Sequence, residues 1–124
     1  MKIREAISQD KIMWDCFVDN EGGSFYLYFD WKTVHETAGK QLIPLLVETD
    51  SSQLVGVFSV IKEKRLLYST LLGRFVLRRD LSDKHRYDAI SAILRYVDAN
   101  YSTGCSSFSI ITFDFIHAKT FAFG

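Results

Sequence analysis

The chain has 124 residues, of which 48% are hydrophobic and 15% aromatic, with seven glycines and one proline, a composition that excludes disordered, collagen-like and low-complexity chains. A chain of this length buries roughly two thirds of the surface it exposes when unfolded, so one compact domain is expected without disulfide staples or a structural metal. Fifteen Lys and Arg balance fifteen Asp and Glu, for a formal net charge of 0, so no whole-protein field draws it to nucleic acid or membrane and any polyanion site is local.

In chain order, Lys2 to Ser8 reads as a short strand, and Asp10 is placed to cap a helix running to about Asp19. Its spacing predicts that Met13 and Phe17 are buried, with Cys16 on the same apolar side. Asn20-Glu21-Gly22-Gly23 stops that helix. Ser24 then caps a second one, which carries Tyr28, Trp31, Val34 and Ala38 at helical spacing until Gly39. Leu42 to Glu48 and Gln53 to Glu63 form a hairpin around the polar turn Thr49-Asp50-Ser51-Ser52. Leu66 to Leu72 is a further strand ending at Gly73, and Arg74 to Ser82 is read as a basic loop. From Asp83 to Tyr101, Tyr87, Ile90, Leu94, Val97 and Tyr101 fall on one helix face, with Ile93 beside them and Thr103-Gly104 as the stop. Phe108 to Phe113 is the last strand, and Asp114 to Gly124 begins a further helix.

The predicted order is thus β-α-α-β-β-β-α-β. It describes an α/β domain (α+β in its strand order) with a mostly antiparallel central sheet flanked by helices. No repeat interrupts it. If the sheet stops at its fifth strand, that strand is an open edge, which predicts self-association or a covering partner.

Cys16 and Cys105 form no C-x-x-C pair, which argues against a zinc ribbon, a thioredoxin motif or a disulfide framework and makes a reducing cytoplasm the expected location. No apolar h-region follows Met1 to Glu5, and the longest apolar stretches, Ile43 to Val47 and Leu54 to Ile61, fall far short of the ~20 residues of a membrane span. Neither secretion nor a span is expected. His85 with Asp88 and Asp114 with His117, each at i,i+3, are the metal-type spacings present, and no metal site is assigned to them. A buried, unactivated Cys16 thiol makes a poor nucleophile. Neither Gly-x-Ser-x-Gly, a P-loop, a Rossmann fingerprint nor HExxH occurs.

Four segments carry a resemblance: Trp14-Asp15-Cys16-Phe17-Val18, Gly23-Ser24-Phe25-Tyr26 running on to Trp31, the hairpin Leu45-Leu46-Val47-Glu48 with Gln53-Leu54-Val55-Gly56-Val57, and Tyr68-Ser69-Thr70-Leu71-Leu72-Gly73. In this order they resemble the FemABX-like branch of the GNAT acyltransferases, the peptidoglycan interpeptide-bridge aminoacyltransferases. Family members carry two GNAT-like halves, and the resemblance covers the first. It implies transfer of an amino acid from aminoacyl-tRNA to a peptidoglycan precursor, both of them partners, in the cytoplasm at the membrane face. A non-catalytic GNAT-like binding or assembly module is the alternative.

Acyl-CoA-dependent GNAT enzymes hold pyrophosphate on a Gly-rich loop leading into a helix N-terminus. The matching stretch here, Gly73-Arg74-Phe75-Val76-Leu77-Arg78-Arg79-Asp80, has one glycine and bulky neighbours, so no acyl-CoA site and no other cofactor is expected. Arg74, Arg78 and Arg79 are read either as solvated side chains or as contacts to a phosphate or RNA. The family's Trp-x-x-Val-Lys segment, whose lysine reaches a precursor phosphate, is matched by Trp31-Lys32-Thr33-Val34-His35, with histidine in the lysine position. Trp31, Lys32 and His35 are therefore the candidate border of a substrate cleft, and a protonated His35 would make a pH-dependent anion contact. The aromatics Phe25, Tyr26, Tyr28, Phe29 and Trp31 are expected to pin the second helix to the sheet, with a base-stacking platform as the other reading. Catalytic residues are not assigned.

Overall fold

Burial runs almost unbroken from Leu42 to Val47 and from Val55 to Ile61, so both faces of this strand pair need a covering layer. The structure, a computed structural model describing residues 1–111 and 118–122, supplies one on each side. In chain order it comprises β1 (Lys2–Glu5), α1 (Lys11–Asn20), α2 (Trp31–Thr37), β2 (Gln41–Glu48), β3 (Leu54–Lys64), β4 (Ser69–Leu77), α3 (Asp83–Tyr101), β5 (Cys105–Ile111) and β6 (Ala118–Ala122). Short 3-10 turns cover Ser8–Asp10 and Phe25–Leu27. The strands lie side by side in sequence order. All neighbours are antiparallel except β4 and β5, which the α3 crossover makes parallel. The α/β class and the mostly antiparallel sheet flanked by helices are as expected.

On one face, Ile43, Leu45, Val47, Phe58, Val60, Leu71 and Phe108 pack against Ala89, Ile93 and Val97 of α3. On the other, Leu46 and Val57 pack against Ala6, Trp14, Val18 and Leu27. The single proline fits this sheet interior for a definable reason. Pro44 accepts a hydrogen bond from Ala6 N at 2.8 Å just where β1 has ended, so its missing N–H faces the side that has no further strand to bond.

Several expectations change. On α1 the buried residues are Trp14 and Val18, whereas Met13 and Cys16 are exposed and Phe17 is half-buried. Apolar side chains surround most of that helix, so the face is settled by Trp14, whose indole N–H reaches Leu27 O at 2.6 Å. Asp10 precedes α1 without capping it. Its carboxylate instead accepts from Ile7 N at 2.9 Å and from Arg4, which also bonds Glu48 at 2.8 Å. The single helix expected from Ser24 to Gly39 is a 3-10 turn capped by Ser24, followed by the seven-residue α2. The helix Asp83–Tyr101 has the expected bounds, but its buried line is Ala89, Ile93 and Val97, and Tyr87 is 73% exposed. At the C-terminal end, residues 118–122 form a strand on β5 in place of the expected helix start, so β5 is not an edge. Unpaired N–H and C=O groups along β5 account for that choice. Asp114 and His117 lie outside the described residues.

Gly73 does not end a strand. β4 runs through it to Leu77, and Gly73 pairs with Val60 where two aromatic rings converge. A Cβ there would lie 2.5 Å from Phe58 and 2.8 Å from Phe108. The absent side chain makes room for the Phe58 ring, stacked on Phe75 at 5.5 Å and edge-on to Phe108 at 6.0 Å. Gly73→Ala is expected to destabilise the fold by about 1–3 kcal/mol through overpacking. Urea denaturation checks this, and an unchanged midpoint would show that the rings give way freely.

Candidate functional site

The six candidate residues fall into two places. Val76 packs with Val57 against the α1 side of the sheet, and strand alternation puts Arg74 on that same face, opposite the buried Ser59. Arg74 is thus a strand residue, not a loop residue, because β4 continues through Gly73. Its guanidinium lies 5.2 Å from the centre of the Tyr26 ring. Tyr26 is 5.2 Å from Trp31 and 4.1 Å from Phe25, and Trp31 is 6.0 Å from His35. Trp31, His35 and Arg74 are therefore brought together, with Tyr26 between Trp31 and Arg74. Lys32 lies beside them on α2 and is ion-paired with Glu36.

Arg78 and Arg79 lie elsewhere. Arg78 is paired with Asp80 through two hydrogen bonds of 2.9 and 3.0 Å and faces a cleft of about 500 Å³ between α3 and the β2–β3 turn. Arg79 donates to Asn20 O at 2.8 Å, and its backbone N–H to Glu21 at 2.9 Å, which ties the β4–α3 connection to the end of α1. Both are structural in this arrangement. His85 belongs to that second region, and its Nδ1 is 3.1 Å from Ser82 Oγ. Among the described residues, no group of three or more His, Cys, Asp or Glu side chains is arranged to hold a metal ion.

The local chain holds the first group in place. Asp15 on α1 accepts from Phe29 N at 2.8 Å, Lys11 reaches Asp30 at 2.7 Å, and Tyr28 donates to Asp19. These contacts fix the link between the 3-10 turn and α2, and so fix Trp31. Phe29 packs on the core and meets Trp14 edge-on at 6.0 Å, and Leu27 is buried. Phe25, Tyr26 and Tyr28 are instead exposed, which corrects the expectation that the whole aromatic run pins the helix. The apolar anchoring is done by Leu27 and Phe29, and this frees Tyr26 to line the site. The signal for Tyr26 was present in Gly23-Ser24-Phe25-Tyr26. Its pairing with Arg74 depended on strand register and was not. A cleft of about 380 Å³ lies on the other flank of Trp31, bounded by Asp15, Asp19, Tyr28, Asp30 and Val34.

Beyond Arg74 the same sheet face is polar. α1 packs on β3 and α2 on β2, while Thr70 and Leu72 of β4 and Ser107 and Ser109 of β5 stay half-exposed. Their alternation with the buried Leu71, Phe108 and Ile110 puts them on the Arg74 side. Among the described residues, the arrangement is an aromatic and cationic corner beside a half-exposed floor that carries the hydroxyls of Thr70, Ser107 and Ser109.

The β4–α3 connection offers no cradle for a pyrophosphate. From Leu77 to Asp83 it contains no glycine, Ser82 Oγ accepts from His85 N at 3.2 Å, and Asp83 sits in the first turn. Arg86 folds back onto the carbonyls of Leu81 at 3.3 Å and Arg79 at 2.9 Å. The helix N-terminus is thus capped and flanked by negative charge where a phosphate would need open N–H groups.

No family model matches the sequence, and no curated protein matches it. Solved structures do. FemX superposes with a TM-score of 0.69 at 19% identity, covering 89% of this chain and 27% of FemX. A spermidine N-acetyltransferase chimera from Vibrio cholerae and hSSAT gives 0.60 at 14% identity, covering 89% of this chain and 70% of that one. A GNAT-family acetyltransferase from Streptococcus pneumoniae gives 0.54 at 15% identity, covering 88% and 72%. The chain has a FemX-like GNAT fold. It spans about a quarter of the length of FemX, as the 27% coverage states. Among the described residues, no helix is long and apolar enough to cross a membrane.

Burial lowers the pKa of His35, and the positive charges of Lys40 and Arg74 push it the same way. The lowered pKa favours the neutral ring at pH 7, so an anion contact through a protonated His35 would form only as pH falls or an anion binds. A histidine whose folded pKa is depressed binds protons more readily when unfolded, so its cost to stability appears as pH falls through about 6.5 and is absent above it. An NMR titration of the His35 ring should show a midpoint below 6.5, and Arg74→Gln should raise it. A midpoint at or above 6.5 would overturn the assignment.

Proposed function

We propose that this domain forms one wall of the substrate cleft of a FemABX-like aminoacyltransferase, where it holds the anionic part of a peptidoglycan precursor. The observation that carries the proposal is the line of contacts from His35 through Trp31 and Tyr26 to Arg74, beside the half-exposed residues of β4 and β5. A phosphate placed there would meet Arg74 directly and would favour the protonated form of His35. Lys32 and Lys40 add positive charge at the rim. The FemX-like form of the fold and the capped, glycine-free β4–α3 connection both support a donor other than acyl-CoA, namely aminoacyl-tRNA.

In that reaction the precursor's amine attacks the aminoacyl ester carbonyl, a C–N bond forms, and the ester C–O bond breaks. The amine proton is carried to the departing ribose hydroxyl. Positioning of the two substrates supplies most of such a rate enhancement, and this domain's share is to fix the precursor. The remainder of the cleft belongs to other parts of the assembly.

A non-catalytic GNAT-like binding module is the second reading. It is favoured by one observation, that Arg78 and Arg79 are committed to Asp80, Asn20 and Glu21 and leave Arg74 to carry the site. Titration of the full chain with a nucleotide-linked muropeptide precursor, followed by NMR, distinguishes the readings. Saturable shifts at Trp31, Lys32, His35 and Arg74 are expected, with affinity rising as pH falls from 7 to about 5.5 because His35 gains charge. Arg74→Gln should weaken binding at least about tenfold. An absence of shifts at millimolar precursor would sink the substrate-cleft reading and leave the module.

A further inference from the structure

The turn between β3 and β4 carries side chains that the fold does not use. Arg65 N donates to Tyr68 O at 2.7 Å and closes a tip whose two central residues are leucines. Such positions ordinarily take Gly, Asn or Asp. Leu66 is 96% exposed, Leu67 91% and Tyr68 49%, so neither leucine gains burial on folding. Scattered apolar side chains are ordinary on a surface, but two consecutive leucines and a tyrosine on one projecting tip form a patch.

The tip projects. β2 begins at Gln41, which pairs with Lys62, so the hairpin overhangs β2 by residues 63–68. On the other side β5 begins at Cys105, level with Ser69. The neck beneath the tip is basic. Lys62, Lys64 and Arg65 lie within four residues of Leu66 along the chain, and Lys40 stands next to the start of β2. Glu63 is the acidic residue of this segment, 3.6 Å from Arg65 and 3.8 Å from Lys40. Four cations therefore face one anion, in a chain whose formal net charge is 0.

We propose that the Leu66-Leu67-Tyr68 tip inserts into the headgroup region of an anionic lipid bilayer. The shape favours a bilayer over a protein partner. A convex two-leucine point offers little area for a protein interface, whereas it suits shallow insertion among acyl chains, with Tyr68 at headgroup level. Cations set just behind the apolar point match the negative surface of such a bilayer. A short insertion of this kind gives weak, reversible and salt-dependent attachment.

Flotation of the full chain with vesicles tests it. Vesicles of phosphatidylcholine with about 30% phosphatidylglycerol should carry the protein, and phosphatidylcholine alone should carry at least about tenfold less. Leu66→Ser with Leu67→Ser should lower the partition coefficient at least about tenfold, and Lys62→Gln with Lys64→Gln should do so at low salt. Thermal melting of each variant by circular dichroism should match the parent, because none of these side chains is in the core. Independently, Leu66→Trp should show a blue-shifted emission on adding the anionic vesicles. No flotation at about 1 mM lipid, or a leucine double variant that floats like the parent, would overturn the proposal. So would a parent that does not float and that light scattering shows to dimerise through the leucines, since the occupant would then be a second copy. These outcomes are independent of precursor binding at Arg74.

Discussion

The double-sided burial of β2 and β3 is the constraint from which the rest follows. Neither strand leaves a polar face, so α3 must cover one side and α1 with Leu27 and Phe29 the other. Each cover then fixes something further out. Trp14, seated on Leu46 and Val57, bonds Leu27 O and thereby fixes the 3-10 turn. Asp15, one residue later, bonds Phe29 N. The turn from Ser24 to Asp30 is consequently held at two points, and Tyr26 and Trp31 are presented from it without being buried. On the opposite side, beneath α3, Phe58 and Phe108 meet above Gly73, whose missing side chain lets β4 pair with β3 without a break through to Arg74.

How much of this was legible in the sequence depends on whether a residue's fate is decided locally. The β2–β3 hairpin and the bounds of α3 were legible, because two apolar runs around a polar turn, apolar residues at helical spacing and Thr103-Gly104 as a stop are all local signals. The buried face of α1 was not. Ile12, Met13, Trp14, Cys16, Phe17 and Val18 leave that helix apolar on most sides, and the choice was made by an acceptor thirteen residues away at Leu27 O. Gly73 was misread for a similar reason. A glycine in a strand marks either a break or a close approach, and the rings that approach it come from β3 and β5. The same error placed Arg74 in a loop. Residues 118–122 were read as a helix start because nothing nearby shows that β5 offers an open edge.

For the site, the resemblance pointed to Trp31, Lys32 and His35, and the structure adds the partner that makes them a group. Arg74 supplies fixed charge, whereas His35 supplies charge that depends on what is bound. With Lys40 and Arg74 nearby, protonating the empty site adds a third cation to two others, which favours the neutral ring. A bound anion reverses that balance. A lysine in the same position would be charged at all physiological pH values, so on the proposed reading the histidine would replace a permanent anion contact with one that forms together with its ligand. Arg78 and Arg79 lie apart from this group. Arg78 pairs with Asp80 within the β4–α3 connection, and Arg79 pairs with Glu21 and ties that connection to the end of α1.

Distance along β4 connects the site with the hairpin tip. A strand rises about 3.3 Å per residue, so Arg74 lies on the order of 20 Å from Leu67. With the tip at headgroup level, the Arg74 corner would stand at most about that height above the bilayer, the full height being reached with β4 along the membrane normal. A precursor carried on a lipid meets the corner only if its phosphates can extend that far from the membrane. A nucleotide-linked precursor diffuses to it freely. Pyrophosphate linkages sit close to the lipid in a membrane-borne precursor, so, if both proposals hold, this geometry would favour the soluble precursor for a phosphate contact at Arg74. Membrane attachment would then serve to keep the domain where the product is used, rather than to present the substrate.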